Sequence, residues 1–244
     1  MTPLSWEGWA DRFSKAGYQV TAPAWPGRDD DVAGQRSRHP DPARGKLRLA
    51  DVVAHFEAAV RALATPPVLI GHSMGGLVVQ LLLQRGLGAK GVAIHSQAPK
   101  GIVTVSWPFI KSNWPVVSPF RRAAEPFLMS FEEFQYAWVH TLPVALQREA
   151  YDRYVVPESR LVARDSLGAE GLVDFTKERP PLLLTAGSED HVIPAQLNRK
   201  NHAAYARGPS RTDWREFAGR THFVLGQPGW EEVADHVRGW IEGH

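Results

Sequence analysis

Residues 71–75 read Gly71-His72-Ser73-Met74-Gly75, set between the apolar runs Pro67-Val68-Leu69-Ile70 and Gly76-Leu77-Val78-Val79. A serine with glycine at i−2 and i+2, where a strand meets a helix, marks the G-x-S-x-G turn. The chain reverses there so sharply that the serine takes a sparsely populated backbone conformation, costing about 1–3 kcal/mol. Residues without bulk two positions away let strand and helix come close enough to hold it. One short string therefore demands a strand before residue 73, a helix after it, and a rigid scaffold around both.

The remaining chain supplies such a scaffold. Leu49, Val52, Val53, Phe56, Ala59, Val60 and Leu63 recur at helical spacing, which predicts an amphipathic helix over 48–64 with His55 at its surface. The helix after Ser73 carries Leu77, Val78, Val79, Leu81, Leu82 and Leu83 and is apolar all round, so it is buried on most sides. Strands are predicted at 18–22, 67–71, 91–94, 182–185 and 214–217. Helices are predicted at 6–16 and 194–206, and a last one places Val233, Val237, Trp240 and Ile241 on one face. Strands alternating with helices imply the α/β class, a mostly parallel sheet flanked by helices. The polar stretch 28–46, with Asp29-Asp30-Asp31, reads as a solvated loop, because no spaced ligand set follows it.

Residues 99–171 break the alternation with many aromatics and prolines, and with helical stretches at about 130–140 and 143–154. This predicts a helical lid over 99–171 inserted into a core formed by 1–98 and 172–244, with Trp107 and Trp138 as candidate substrate-binding residues.

A length of 244 residues suits one core carrying an insertion. Lys+Arg 28 against Asp+Glu 26 leaves a net charge of +2 without single-sign blocks, so no nucleic-acid partner is expected. Cysteine is absent, which excludes disulfides and thiolate chemistry. No apolar run reaches the roughly 18–20 residues of a membrane span, and the first residues do not read as a signal peptide. A cytoplasmic protein is expected. There is no G-x-G-x-x-G after a strand and no P-loop string, so no cofactor is expected.

A serine hydroxyl needs a base to accept its proton and a group to orient that base. In open parallel sheets such groups gather at the carboxyl ends of strands. Gly187-Ser188-Glu189-Asp190 follows one predicted strand, and Gly219-Arg220-Thr221-His222-Phe223 follows another. Of the 10 histidines, His222 alone has a strand, a loop and a terminal helix around it. Glu189, Asp190 and, more remotely, Asp165 are candidates for the orienting carboxylate. His72 and His191 stand beside the candidate positions but lack the spacing of zinc ligands, so no metal is expected.

The stretches Gly71-His72-Ser73-Met74-Gly75-Gly76, Ala186-Gly187-Ser188-Glu189-Asp190-His191-Val192-Ile193-Pro194 and Gly219-Arg220-Thr221-His222-Phe223 resemble the α/β-hydrolase superfamily, in its esterase and lipase-like branch. Ala22-Pro23-Ala24-Trp25-Pro26-Gly27-Arg28 resembles the family's turn after an early strand, with Trp25 where an acid is common. The resemblance implies Ser73 as nucleophile, His222 as general base then acid, Asp190 as orienting carboxylate, and the Met74 backbone N–H as one oxyanion donor. It implies hydrolysis of a carboxylic ester of a small to medium apolar substrate. Amide, thioester or carbon–carbon bond hydrolysis and perhydrolysis are alternatives on the same triad, and a non-catalytic ligand-binding module is the alternative of another class. Serine at 73 disfavours relatives with an aspartate nucleophile. The family places several strands ahead of the helix at 6–16, the last ending in a His-Gly turn that helps supply a second oxyanion donor. No His-Gly occurs before residue 17, so the native reading frame is expected to extend upstream of Met1.

Overall fold

Four short apolar runs pair side by side in the computed structural model, which describes residues 1–243: β1 (Val68–His72), β2 (Lys90–Ile94), β3 (Leu182–Gly187) and β4 (Thr212–Phe217). The sheet is parallel throughout, in the order β1-β2-β3-β4, with Val68 opposite Lys90, Gly91 opposite Leu182, and Leu182 opposite Thr212. Successive side chains of a strand point to opposite faces. Leu69, Ala93, Leu182 and Leu184 accordingly enter one core, and Val68, Ile70, Val92, Ile94 and Leu183 enter the other.

A parallel sheet must be covered on both faces. Ahead of β1 come α1 (Glu7–Lys15), α2 (Val32–Ser37), α3 (Pro42–Lys46) and α4 (Leu49–Arg61), and α5 (Met74–Leu83) joins β1 to β2. Between β2 and β3 lie α6 (Trp107–Val117), α7 (Phe131–Phe134), a π-helical turn (Gln135–Val139), α8 (Val144–Tyr154) and α9 (Arg160–Asp165). Then α10 (Ala195–Ala204) joins β3 to β4, and α11 (Trp230–Glu242) follows β4. Leu49, Val52 and Val53 of α4 and the apolar residues of α5 fill the first core. Trp9 and Phe13 of α1 fill the second with Val233, Val237, Trp240 and Ile241 of α11. A third cluster, Phe134, Val139, Ala150, Val155 and Phe223, joins the β2–β3 insertion to the segment after β4. No helix among the described residues is long and apolar enough to cross a membrane.

Three local expectations are corrected. Residues 18–22 form no strand, because nothing beside them offers a backbone to pair with, and a strand exists only through its ladder. Tyr18 instead packs its ring 5.6 Å from Phe13, while Gln19–Pro23 are exposed. Residues 28–46 are not all loop: α2 and α3 form there, capped by the Asp31 carboxylate accepting from the Gly34 N–H (2.7 Å) and the Asp41 carboxylate from the Ala43 N–H (2.9 Å). The predicted helix at 130–140 divides into α7 and the π turn, and α6 forms despite Pro108 and Pro115.

Helix α5 lies close on the sheet. A Cβ at Gly91 would meet Val79 Cγ1 at 2.9 Å and Leu83 Cδ1 at 2.5 Å, and the Leu83 side chain is fully buried and has nowhere to swing. A polar bundle anchors the same helix: buried Gln80 donates to Ser96 Oγ (2.8 Å) and accepts from Asn201 Nδ2 (3.1 Å) and Tyr205 OH (3.0 Å). Gly91→Ala is expected to lower unfolding stability by about 1–3 kcal/mol through overpacking. Gly239→Ala, in the interior of α11 with open space where its Cβ would stand, is expected to raise it by about 0.5–1 kcal/mol. Urea midpoints of the two variants check the pair, and equal midpoints would contradict the close seating of α5.

Candidate active site

Each strand delivers one side chain to the same end of the sheet. Ser73 follows β1, His95 follows β2, Asp190 lies three residues beyond β3, and His222 lies five beyond β4. Ser73 has φ 55° and ψ −120°, the strained conformation that the G-x-S-x-G pattern calls for. Its N–H donates to Ile94 O (3.0 Å), and its carbonyl accepts from the Gly76 and Gln97 N–H groups, both at 2.9 Å. The two motif glycines are not equivalent. A Cβ at Gly71 would run into the Gly75 carbonyl, whereas one at Gly75 would meet nothing. The second close approach is made by Gly76, whose Cβ would meet Ser96 Cβ at 2.7 Å.

His222 Nε2 stands 2.9 Å from Ser73 Oγ, and His222 Nδ1 stands 2.7 Å from Asp190 Oδ2. An ionised carboxylate can only accept, so Nδ1 carries the ring proton and Nε2 is free to accept from the serine hydroxyl. Asp190 Oδ1 accepts from the backbone N–H groups of Val192 (2.8 Å) and Ile193 (2.7 Å). Burial alone would raise the Asp190 carboxyl. The His222 charge and the hydrogen bonds from His222 and His95 outweigh it and hold the group well below the usual carboxylate range.

The other two candidate acids are placed elsewhere. Glu189 is exposed and accepts from Ser188 Oγ at 3.2 Å. Asp165 takes Arg48 Nε and Nη2 on its two oxygens at 2.6 Å each, with the Leu49 N–H at 3.2 Å, and so ties α9 to the start of α4. Trp138 stands edge-on to the His222 ring, 4.4 Å between centroids, while Trp107 is 70% exposed. Met74 opens α5, where its backbone N–H has no intrahelical acceptor.

One site residue escapes the sequence reading. His95 is fully buried, has φ 43°, and places Nδ1 3.0 Å from the same Asp190 Oδ2 that His222 uses. Its Nε2 is buried without a partner, as is Nε2 of His72. The available signal was its position: a histidine directly after the strand at 91–94, at the end of the sheet where sites form. His72, His95 and His222 bring one ring nitrogen each to within 4.8 Å of one another, the one such trio of potential metal ligands among the described residues. Both nitrogens of His222 are engaged, by Asp190 and Ser73, so this arrangement suits a proton relay better than a metal ion.

A family model described as "Alpha/beta hydrolase family" matches residues 1–236. Among solved structures, the chain is similar to a pyrethroid hydrolase from Sphingobium faniae JZ-2 at 14% identity and a TM-score of 0.69, covering 99% of this chain and 93% of that one. A polyneuridine aldehyde esterase mutant matches at 15% identity and a TM-score of 0.69, covering 98% and 94% of the two chains. A monoacylglycerol lipase from Paleococcus ferrophilus matches at 16% identity and a TM-score of 0.64, covering 96% and 87%. No curated protein matches the chain by sequence.

The buried imidazoles set a pH dependence of stability. Burial lowers His72 well below the ordinary histidine value, with His222 and His95 adding to the effect. Burial also lowers His95, against the opposing pull of Asp190. Both are held neutral in the fold and can protonate once unfolded, so the unfolded chain binds more protons below about pH 6.5. The stability they contribute is present above that pH and is lost as pH falls, at up to about 1.4 kcal/mol per pH unit for each ring. Asp190 is silent in this window, since its own loss begins only below the ordinary carboxylate value of about 3.9. Urea midpoints are expected to fall from about pH 7 to about pH 5. His95→Asn, which tolerates the left-handed backbone, is expected to flatten the fall. A variant curve parallel to the wild type would contradict the neutral buried His95.

Proposed function

The chain belongs to the alpha/beta hydrolase family, and on that premise we propose that it is a serine hydrolase cleaving a carboxylic ester of a small to medium apolar substrate through an acyl-enzyme on Ser73. The observation that carries this reading is the continuous relay Ser73 Oγ–His222–Asp190, with links of 2.9 and 2.7 Å.

Ser73 Oγ attacks the ester carbonyl while its proton passes to His222 Nε2. The imidazolium formed stays paired with Asp190, and the Met74 N–H, at the positive end of α5, receives the developing oxyanion. Collapse of the tetrahedral intermediate breaks the bond to the alcohol oxygen, which takes the proton back from Nε2 and leaves. Water, deprotonated by His222, then attacks the acyl-enzyme. The second collapse releases the carboxylic acid and returns a proton to Ser73. Ser73, His222 and water supply every proton and electron pair in this cycle.

The apolar substrate class is supported by what surrounds the relay. Trp138 lies edge-on to His222, and the Phe134, Val139 and Phe223 cluster packs beside it. Trp138 is the wall residue of this reading, and Trp107, exposed as it is, drops out of it. The β2–β3 insertion, residues 99–171, serves as the lid over a core made of 1–98 and 172–244. The absence of cysteine suits a cytoplasmic setting.

The test is labelling by a fluorophosphonate with the adduct mapped by peptide mass spectrometry. Wild type is expected to label at Ser73, Ser73→Ala not at all, and His222→Ala about 10³-fold more slowly or worse. Asp165→Ala is expected to label like wild type. A panel of ester, amide and thioester substrates then ranks the bond cleaved. Wild-type protein that stays unlabelled would point instead to a non-catalytic binding module.

A further inference from the structure

The insertion between β2 and β3 carries large apolar side chains on its outside that the relay does not use. Val105 is 85% exposed, Trp114 49% and Phe120 88%, and Val103 and Ile110 are exposed as well. Trp107, Ile110 and Trp114 recur at i, i+3 and i+7 and so share one face of α6. Phe120 extends that face, its ring 6.4 Å from Trp114. A helix face open to water ordinarily carries charge, and contiguous exposed apolar patches beyond a few hundred Å² mark interaction surfaces.

The charges around the patch are predominantly positive. Residues 100–125 contain Lys100, Lys111, Arg121 and Arg122 against a single acid, Glu125, all of them at exposed positions. Lys111 turns inward, its Nζ 3.7 Å from the centroid of the Tyr136 ring, and Lys200 takes its place at the rim by donating to Val103 O at 3.1 Å. The whole chain is nearly balanced at +2, so this is a local concentration and not a general basicity. The inner side of the same helix is tied to the site: Asn113 Nδ2 donates to Val192 O at 2.9 Å, two residues from Asp190.

We infer that the outer face of α6, with Val105 and Phe120, docks on an anionic phospholipid bilayer. Trp107, Trp114 and Phe120 enter the boundary between headgroups and acyl chains, the level at which tryptophan is enriched. Lys100, Arg121, Arg122 and Lys200 lie over the anionic headgroups. The net sign of the rim selects this occupant over a second copy of the chain, because pairing the face with itself would bring together two rims on which Lys100, Arg121, Arg122 and Lys200 outnumber Glu125. The docked bilayer would lie about one helix diameter, roughly 10 Å, from the loop that holds Asp190.

This inference stands apart from the catalytic reading, since vesicle binding is measured without turnover. The full chain is sedimented with vesicles of phosphatidylcholine alone and of phosphatidylcholine mixed with phosphatidylglycerol. Binding is expected to the mixed vesicles, to weaken with added salt, and to be lost in Trp114→Ser/Phe120→Ser. Arg121→Glu/Arg122→Glu, at two exposed positions that leave the cores untouched, is expected to bind about tenfold more weakly or worse. Hydrolysis of a water-soluble ester should be unchanged in both variants. Failure to bind the mixed vesicles at low salt would overturn the proposal, and so would equal binding by the charge-reversed variant. A concentration-dependent dimer that Trp114→Ser/Phe120→Ser abolishes would assign the face to a second copy instead.

Discussion

The carboxylate of Asp190 is buried among four donors, and the geometry of the site is referred to it. Removing such a charge from water is costly unless its lone pairs are engaged. Here the Val192 and Ile193 N–H groups converge on Oδ1, and the His95 and His222 rings converge on Oδ2. The backbone pair fixes the direction of the carboxylate, the carboxylate fixes the proton of His222 on Nδ1, and that proton leaves Nε2 to face Ser73. The loop can close this tightly because Gly187 lacks a Cβ, which would collide with the Arg220 carbonyl and stand 2.6 Å from His95 Cε1. A side chain at 187 would press at once on the His95 ring and on the backbone two residues before His222.

A second constraint is the strain at the first residues beyond β1 and β2. Ser73 and His95 are the non-glycine residues with positive φ among those described, and they stand on adjacent parallel strands. Such conformations persist only where the surroundings over-determine them. Inter-strand hydrogen bonding continues past the strand ends for this purpose: the Ser73 N–H reaches Ile94 O and the His95 N–H reaches Thr185 O, each at 3.0 Å. Each strained residue is thus pinned by the strand next in order. Parallel strands spaced about 4.8 Å apart then bring four side chains from four strand ends within hydrogen-bonding reach.

What the sequence made legible follows from the range of the forces involved. Helical and alternating periodicities are local, and α4, α5, α11 and the four paired strands could be read from them. The elbow spacing singled out Ser73, position after a strand singled out His222 and left Glu189 and Asp190 both open, and only the family resemblance preferred Asp190. His95 was passed over because nothing in its neighbourhood, Ile94-His95-Ser96, announces a partner 95 positions away. The strand expected at 18–22 failed for the opposite reason, since its local pattern was sound but a strand is a pairwise object. Gly75 shows the limit of motif reasoning, for the glycine that sterics require on the helix side is Gly76. Asp31 and Asp41, read as solvated, act as caps of helices too short for periodicity to reveal.

The aromatic richness of the insertion, read along the chain, is one compositional signal, yet its residues act in two directions. Phe134, Trp138 and Tyr151 turn inward, where Phe134 packs 5.9 Å from Trp138 and 5.7 Å from Tyr151 and the group meets Phe223 beside His222. Water excluded on that side lowers the local dielectric, which strengthens the attraction between Asp190 and an imidazolium on His222 and disfavours charge on His72 and His95. Trp107, Trp114 and Phe120 turn outward and do nothing for the relay. Composition cannot separate the two groups, whereas helical phase can, because Trp107, Ile110 and Trp114 fall on one face and Asn113, bonded to the site loop, falls on another. The same helix therefore has one side fastened to the loop that holds Asp190 and one side apolar and open. Any surface that grips the open side is mechanically connected to the Asp190 loop through the Asn113–Val192 hydrogen bond and the packing of Phe109 in the cluster that holds Val192 and Ile193.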